Sequence, residues 1–142
     1  KDAAARNYRV RISKITDRWG GVFPVIMGVP WKKTVNEWKN MGGIICHLAM
    51  YGENIEESDV LKHIKESGRD IMILVGAQKV PSEMFQMADF NIAIGGQPHS
   101  ECAALAIFLD RYFEGRELRK KFENAKIRTV PQKQGKMISE RL

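Results

Sequence analysis

The residues best suited to chemistry lie in two loops, Val75-Gly76-Ala77-Gln78-Lys79-Val80-Pro81 and Ile94-Gly95-Gly96-Gln97-Pro98-His99-Ser100-Glu101. Each follows a short apolar run and leads into a helical pattern. That order predicts both at the carboxyl ends of neighbouring parallel strands, where open α/β sheets bind their ligands. Glycine lets a ligand approach the backbone closely, and the free amides of a helix N-terminus lie just beyond each loop. A site of glycine backbone, apolar strand ends and few titratable groups suits a ligand with an adenine and an uncharged or zwitterionic tail.

Other chemistries lack their signatures. Neither Gly-x-x-x-x-Gly-Lys-[Ser/Thr] nor Gly-x-Gly-x-x-Gly occurs, which argues against a P-loop enzyme and a dinucleotide fold of the usual kind. His47, His63 and His99 have no partners at zinc spacing, so no metal is expected. Ser100, His99 and Asp89 could be imagined as a hydrolase triad, but no nucleophile-elbow pattern surrounds Ser100. A helix cap, worth about 1 kcal/mol, is a sufficient role for that serine. The two cysteines, Cys46 and Cys102, form neither a disulfide framework nor a metal set; both are expected as buried thiols, which suits a reducing cytoplasm.

The elements that must position the loops follow from periodicity. The chain of 142 residues is 44% hydrophobic and 28% charged. Those values suit one globular domain, and no apolar run reaches membrane-spanning length. Asp2 can cap a helix with Tyr8, Ile12, Ile15 and Trp19 at helical spacing, stopped by Gly20 and Gly21. Because the chain starts inside that pattern without an initiator Met, the N-terminal part of the domain is expected to be missing. Residues 22–27 read as an edge or early strand around Pro24. A helix bearing Trp31, Val35 and Trp38 ends at Gly42-Gly43, with both tryptophans as core anchors. A strand at 43–50 runs into a turn at Tyr51-Gly52. A helix at 55–67 has acids first and bases later, in line with its dipole. Residues 71–75 read as a central parallel strand buried on both faces, followed by a helix at 81–87 and a strand at 90–94. A basic helix at 116–123 and a β-hairpin at 125–140 complete an α/β fold, with helices on both faces of a mainly parallel sheet of about five strands.

Two features point to partners. Residues 102–109 are continuously apolar, so the helix of 102–113 must be covered on more than one side. Cys102, Ala106, Leu109 and Phe113 can pack on the sheet, leaving Ala104, Phe108 and Tyr112 for a second copy of the helix, hence a homodimer. Residues 111–142 hold ten Lys/Arg against four Asp/Glu, whereas the rest of the chain carries equal numbers of the two signs. The whole excess of +6 is thus gathered at one end. Such a charge is the footprint of a polyanion, with Lys133 and Lys136 at the hairpin tip and Arg128 beside them as candidate RNA contacts. A non-catalytic RNA-binding module would also show that charge, as would a merely solvated surface.

The loops at 75–81 and 94–105 resemble the second and third motifs of SPOUT-superfamily methyltransferases. Together with Arg18-Trp19-Gly20-Gly21, His47-Leu48-Ala49-Met50-Tyr51-Gly52 and the stretch Ala125-Lys126-Ile127-Arg128-Thr129-Val130-Pro131, the chain is similar to the archaeal tRNA cytidine-56 ribose 2′-O-methyltransferase family. The resemblance implies a trefoil-knotted C-terminal half in a single SPOUT domain over 1–142, an obligate dimer, and tRNA as substrate, methylated on the ribose of a T-loop cytidine. A SPOUT enzyme for another RNA site differs only in substrate. The resemblance also implies S-adenosylmethionine held by Leu48, Ala49, Met50, by Val75, Gly76, Ala77, Lys79, Val80, and by Ile94, Gly95, Gly96, Gln97, Ser100. In-line methyl transfer then depends chiefly on positioning. The family assigns the proton-accepting role to an arginine of the first motif, which is expected upstream of Lys1. Gln78 stands where many relatives have glutamate, and Ser100 is a supporting catalytic candidate.

Overall fold

The sheet forms around β1 (Ile44–Asn54), whose first five residues are all buried. In the computed structural model, which describes residues 2–76 and 79–141, β1 is flanked in parallel by β2 (Ile71–Val75) and β3 (Phe90–Ala93), in the order β2-β1-β3. Ile44 lies opposite Ile71 and Leu48 opposite Val75 on one side, with Cys46 opposite Phe90 on the other. The α/β class and the parallel sheet are those expected. The strand count is three, not about five, and the central strand is β1, not β2. β2 pairs on one side only, so Ile71 to Leu74 are half-buried and Val75 is exposed where a central strand would be enclosed.

Four helices serve this sheet. α2 (Trp31–Asn40) buries Val35, while Trp38 is half-buried and donates its Nε1–H to the Ile44 carbonyl at 3.1 Å. α3 (Val60–Ser67) buries Val60 and Ile64, and α5 (Glu101–Phe113) buries Ala104 and Phe108 against the same core as Ile44, Leu48 and Ile92. Each fully buried large aliphatic or aromatic chain contributes about 1.5–3 kcal/mol. α4 (Ser82–Met87) starts one residue later than expected, with Pro81 extended at its N-cap.

Several expectations change for local reasons. α3 starts at Val60, not at 55. The Asn54 side chain accepts the Glu56 amide at 2.9 Å and the Glu57 amide at 3.2 Å, closing a turn in place of the first helical turn. β1 does not turn at Tyr51-Gly52 but continues to Asn54. The faces of α5 are largely the reverse of the expectation: Ala104 and Phe108 are buried and Tyr112 half-buried, while Cys102, Ala106 and Phe113 are exposed and only Leu109 of the expected face packs against the core. Cys102 is therefore an exposed thiol, although Cys46 is buried as expected. Only a 3-10 turn (Arg116–Arg119) forms where a basic helix was expected.

Contacts divide the chain into two sets, Pro30–Arg119 and a second made of Lys1–Val29 with Lys120–Leu142. The second set comprises α1 (Asp2–Trp19) and an antiparallel hairpin of β4 (Ile127–Thr129) and β5 (Ile138–Glu140). The Lys126 amide donates to the Arg18 carbonyl at 2.9 Å, and the Gly21 amide to that of Glu123 at 3.0 Å. Capping by the Asp2 side chain lies outside the described residues. The expected strand at 22–27 does not form, and no described strand lies beside that segment. Pro24 offers no ladder donor. Val22 and Ile26 are left 91% and 74% exposed.

Candidate functional site

Two departures from a regular sheet create the site. First, the strand order puts β2 and β3 on opposite sides of β1. The two glycine loops therefore flank β1 instead of neighbouring each other, and the reversal makes a switch point at the carboxyl ends. Second, Leu48 and Glu53 both lie opposite Ile92, so residues 49–52 bulge out of the ladder. Gly52 permits this, because a Cβ there would fall inside the Asn91–Ile92 peptide.

A cavity of about 560 Å³ opens at that point within Pro30–Arg119. Leu48, Ala49, Met50 and Tyr51 line it from β1, Val75, Gly76, Lys79 and Val80 from the loop after β2, and Gln97, Pro98 and His99 from the loop after β3. Phe85 of α4, with Glu101 and Ala104 of α5, completes the wall. Three segments far apart in sequence thus meet at one space of ligand size.

Of the residues expected to hold a cofactor, Ile94, Gly95, Gly96 and Ser100 do not line this cavity, and Ala77 lies outside the described residues together with Gln78. Gly95 takes φ +77°, and open space lies where a Cβ would stand at both Gly95 and Gly96. That left-handed conformation favours glycine. The Ser100 hydroxyl accepts the Ala103 amide at 3.1 Å and caps α5. Lys133, Lys136 and Arg128 are exposed on the hairpin, and none of them forms an ion pair among the described residues.

Sequence reasoning missed Tyr51, Phe85, Pro98, His99, Glu101 and Ala104 as lining residues. Tyr51 sat in an expected turn and Phe85 in a helix with no chemical signature; Pro98, His99 and Glu101 lay inside the chosen loop, but His99 was weighed as a metal ligand or triad member and Glu101 as a helix boundary, while Ala104 was assigned to the dimer face. It also missed the support behind the wall. His47 is fully buried, with Nδ1 2.9 Å from Asn91 Oδ1, and Asn91 Nδ2 donates to the Phe85 carbonyl at 2.9 Å. Since the Asn91 amide nitrogen faces that carbonyl, its oxygen accepts, and the His47 proton sits on Nδ1. The Phe85 ring meets the imidazole edge-on at 4.8 Å, so Phe85 is held from both backbone and ring.

The titratable groups facing the cavity are Lys79, His99, Glu101 and Tyr51. Cys46 is excluded as a nucleophile: burial, and then the charge of Asp89, pushes its thiol up to about 12, and it is the thiolate that attacks. Among the described residues no group of three or more metal-ligating side chains occurs, and no helix is long and apolar enough to cross a membrane.

Residues 19–139 match the family described as "tRNA ribose 2′-O-methyltransferase, aTrm56". The chain belongs to this family. Its relatives include the tRNA (cytidine(56)-2′-O)-methyltransferase of Thermococcus kodakarensis, 51% identical over 130 residues, or 89% of this chain and 71% of the relative. The enzymes of the same name from Thermofilum pendens and Methanocaldococcus jannaschii are each 49% identical, over 92% and 89% of this chain and 71% and 70% of theirs. Among solved structures, Archaeoglobus fulgidus Nep1 bound to S-adenosylhomocysteine aligns with a TM-score of 0.43 and 14% identity, covering 76% of this chain and 50% of that one. The expected family, and with it an enzyme of tRNA ribose methylation, is thereby established for residues 19–139.

Proposed function

We propose that this chain transfers a methyl group from S-adenosylmethionine to the ribose 2′-oxygen of the T-loop cytidine of tRNA, in the cytoplasm and as a homodimer with a SPOUT knot in its C-terminal half. One observation carries the proposal: in a chain of this family, the segments around Leu48, Val75 and Gln97 converge on one cavity of about 560 Å³. The cavity fits the cofactor in size and in chemistry. Its apolar strand ends suit an adenosine, and Lys79 and Glu101 supply one cation and one anion for a zwitterionic amino-acid tail.

The bound cofactor supplies an electrophilic methyl group on a sulfonium. The chain's own work is positional. Met50 and Tyr51 on the bulge, Phe85 on α4 and Val80 on its loop exclude water, and the hydrogen-bonded His47–Asn91 pair keeps Phe85 in place. Ser100 fixes the start of α5 and so the position of Glu101 at the cavity. Because α5 turns Ala104 and Phe108 inward, the face available to a second copy is Cys102, Ala103, Ala106, Ile107 and Phe113. Ile107 is 43% and Phe113 39% exposed, and the same patch on two subunits suits a twofold interface.

Calorimetric titration of the folded chain with S-adenosylmethionine, followed by mass spectrometry of an unmodified tRNA transcript incubated with both, tests the proposal. The expected result is stoichiometric binding and a ribose methyl at cytidine-56. A methyl at another nucleotide replaces the substrate, and RNA binding by a folded chain that ignores the cofactor replaces the enzyme with a non-catalytic module.

A further inference from the structure

Charge is divided unequally between the two sets of residues. The set formed by Lys1–Val29 and Lys120–Leu142 holds 13 Lys/Arg against four Asp/Glu, whereas Pro30–Arg119 holds 10 against 13. The pairing of those charges is equally one-sided. Among the described residues every ion pair lies in Pro30–Arg119, including Lys32–Glu83, Lys65–Glu114 and Arg111–Glu56, and none in the basic set.

Helix geometry and backbone bonding draw part of this charge into a line. On α1, Arg11, Lys14 and Arg18 are all exposed and recur at i, i+3 and i+7. That spacing sets them on one stripe, each about one helical turn from the next. The stripe runs beside the apolar one of Tyr8, Ile12, Ile15 and Trp19. At its lower end the Arg18 carbonyl accepts the Lys126 amide at 2.9 Å, and the Lys126 carbonyl accepts the Arg141 amide at 2.7 Å, so the hairpin continues the line with two more exposed cations. The nearby acids are Asp17, Glu123 and Glu140. None of them forms an ion pair with these cations among the described residues.

We propose that Arg11, Lys14, Arg18, Lys126 and Arg141 form one track for the phosphate backbone of the RNA substrate, which rests on the assignment of tRNA as that substrate. Unpaired, regularly spaced cations on a rigid helix match a regularly spaced polyanion and gain from releasing its counterions.

The test uses the whole chain, an unmodified tRNA transcript and a salt series. The triple variant Arg11→Gln/Lys14→Gln/Arg18→Gln should lower the slope of log affinity against log salt by roughly 2, about 0.7–0.9 per lost phosphate contact. Its calorimetric affinity for S-adenosylmethionine should stay that of the parent chain, which also reports an intact fold. The variant Arg11→Lys/Arg18→Lys should keep the parent slope, since a phosphate track asks for charge and not for a guanidinium. An unchanged slope in the glutamine variant, equal loss in the lysine variant, or no tRNA binding by the parent overturns the track. Failure to bind S-adenosylmethionine overturns the proposed methyl transfer instead, while the salt slopes still decide the track.

Discussion

Cys46 and Cys102 show how far one residue's chemistry depends on where the fold leaves it. With its thiol pushed up to about 12 by burial, Cys46 carries almost no thiolate near neutrality, whereas Cys102 stands exposed at the start of α5. Brief alkylation of the folded chain at pH 8, read by peptide mass mapping, should spare Cys46 and modify it only after denaturation, because only a thiolate reacts; labelling of native Cys46 would contradict its burial. Glu114 carries the clearest pH dependence. Its carboxylate accepts from Lys65 at 3.0 Å and from Arg116 at 2.9 Å, and these hydrogen bonds hold it below its ordinary value of 4.5. Hydrogen bonds to the charged form favour that form. A lowered folded value stabilises the chain above 4.5 and loses that contribution as pH falls through it. Thermal melts of the parent and Glu114→Gln should therefore differ slightly at neutral pH and converge in acid; the side chain is fully solvated, so the gap is small. At this scale the sequence was partly legible. Ser100 as a cap followed from local pattern, since capping needs only a hydroxyl three residues ahead of an amide. The burial of His47 and the exposure of Cys102 did not, because both depend on which side of an element meets the core.

Among the elements, β1 decides the site. An apolar run from Ile44 announced a strand, and the glycine loops after β2 and β3 announced a ligand site, all from residues close in sequence. The order β2-β1-β3 was not legible, because a short apolar run such as Ile71–Val75 serves equally as a centre or as an edge. The pairing of Ile44 with Ile71 spans an intervening helix and leaves no local trace. Nor was the bulge: Tyr51-Gly52 reads as a turn until Glu53 is seen to return to Ile92. The bulge depends on Gly52 lying against the Asn91–Ile92 peptide. Gly52→Ala must push β1 away from β3 there, carrying Met50 and Tyr51 out of the cavity wall. The expected outcome is at least tenfold weaker S-adenosylmethionine binding by calorimetry, with a loss of stability of about 1–3 kcal/mol in denaturant titration. Unchanged affinity would mean that the bulge does not shape the cofactor site.

For the whole molecule, α5 links the proposed cavity to the proposed dimer. Its first turn presents Glu101 and Ala104 to the cavity, and the opposite face leaves Ala103, Ala106 and Ile107 uncovered. The sequence showed that a helix apolar all round needs two partners but not which face goes where, since small and large apolar residues occupy both: Phe108 went to the core while Phe113 stayed 39% exposed. If a second copy covers the exposed face, Ile107→Glu places a charge in an apolar interface and should split the dimer. The isolated fold should lose little, because the site is already 43% exposed. Light scattering at micromolar concentration should give about twice 16.2 kDa for the parent and a single-chain mass for the variant. Because an unsupported α5 also loosens the positions of Ser100 and Glu101, the monomeric variant should bind S-adenosylmethionine several-fold more weakly, while its melting temperature, unlike the parent's, should not depend on protein concentration. A parent that scatters as a monomer removes the dimer, and a monomeric variant with full cofactor affinity removes only the coupling between α5 and the cavity.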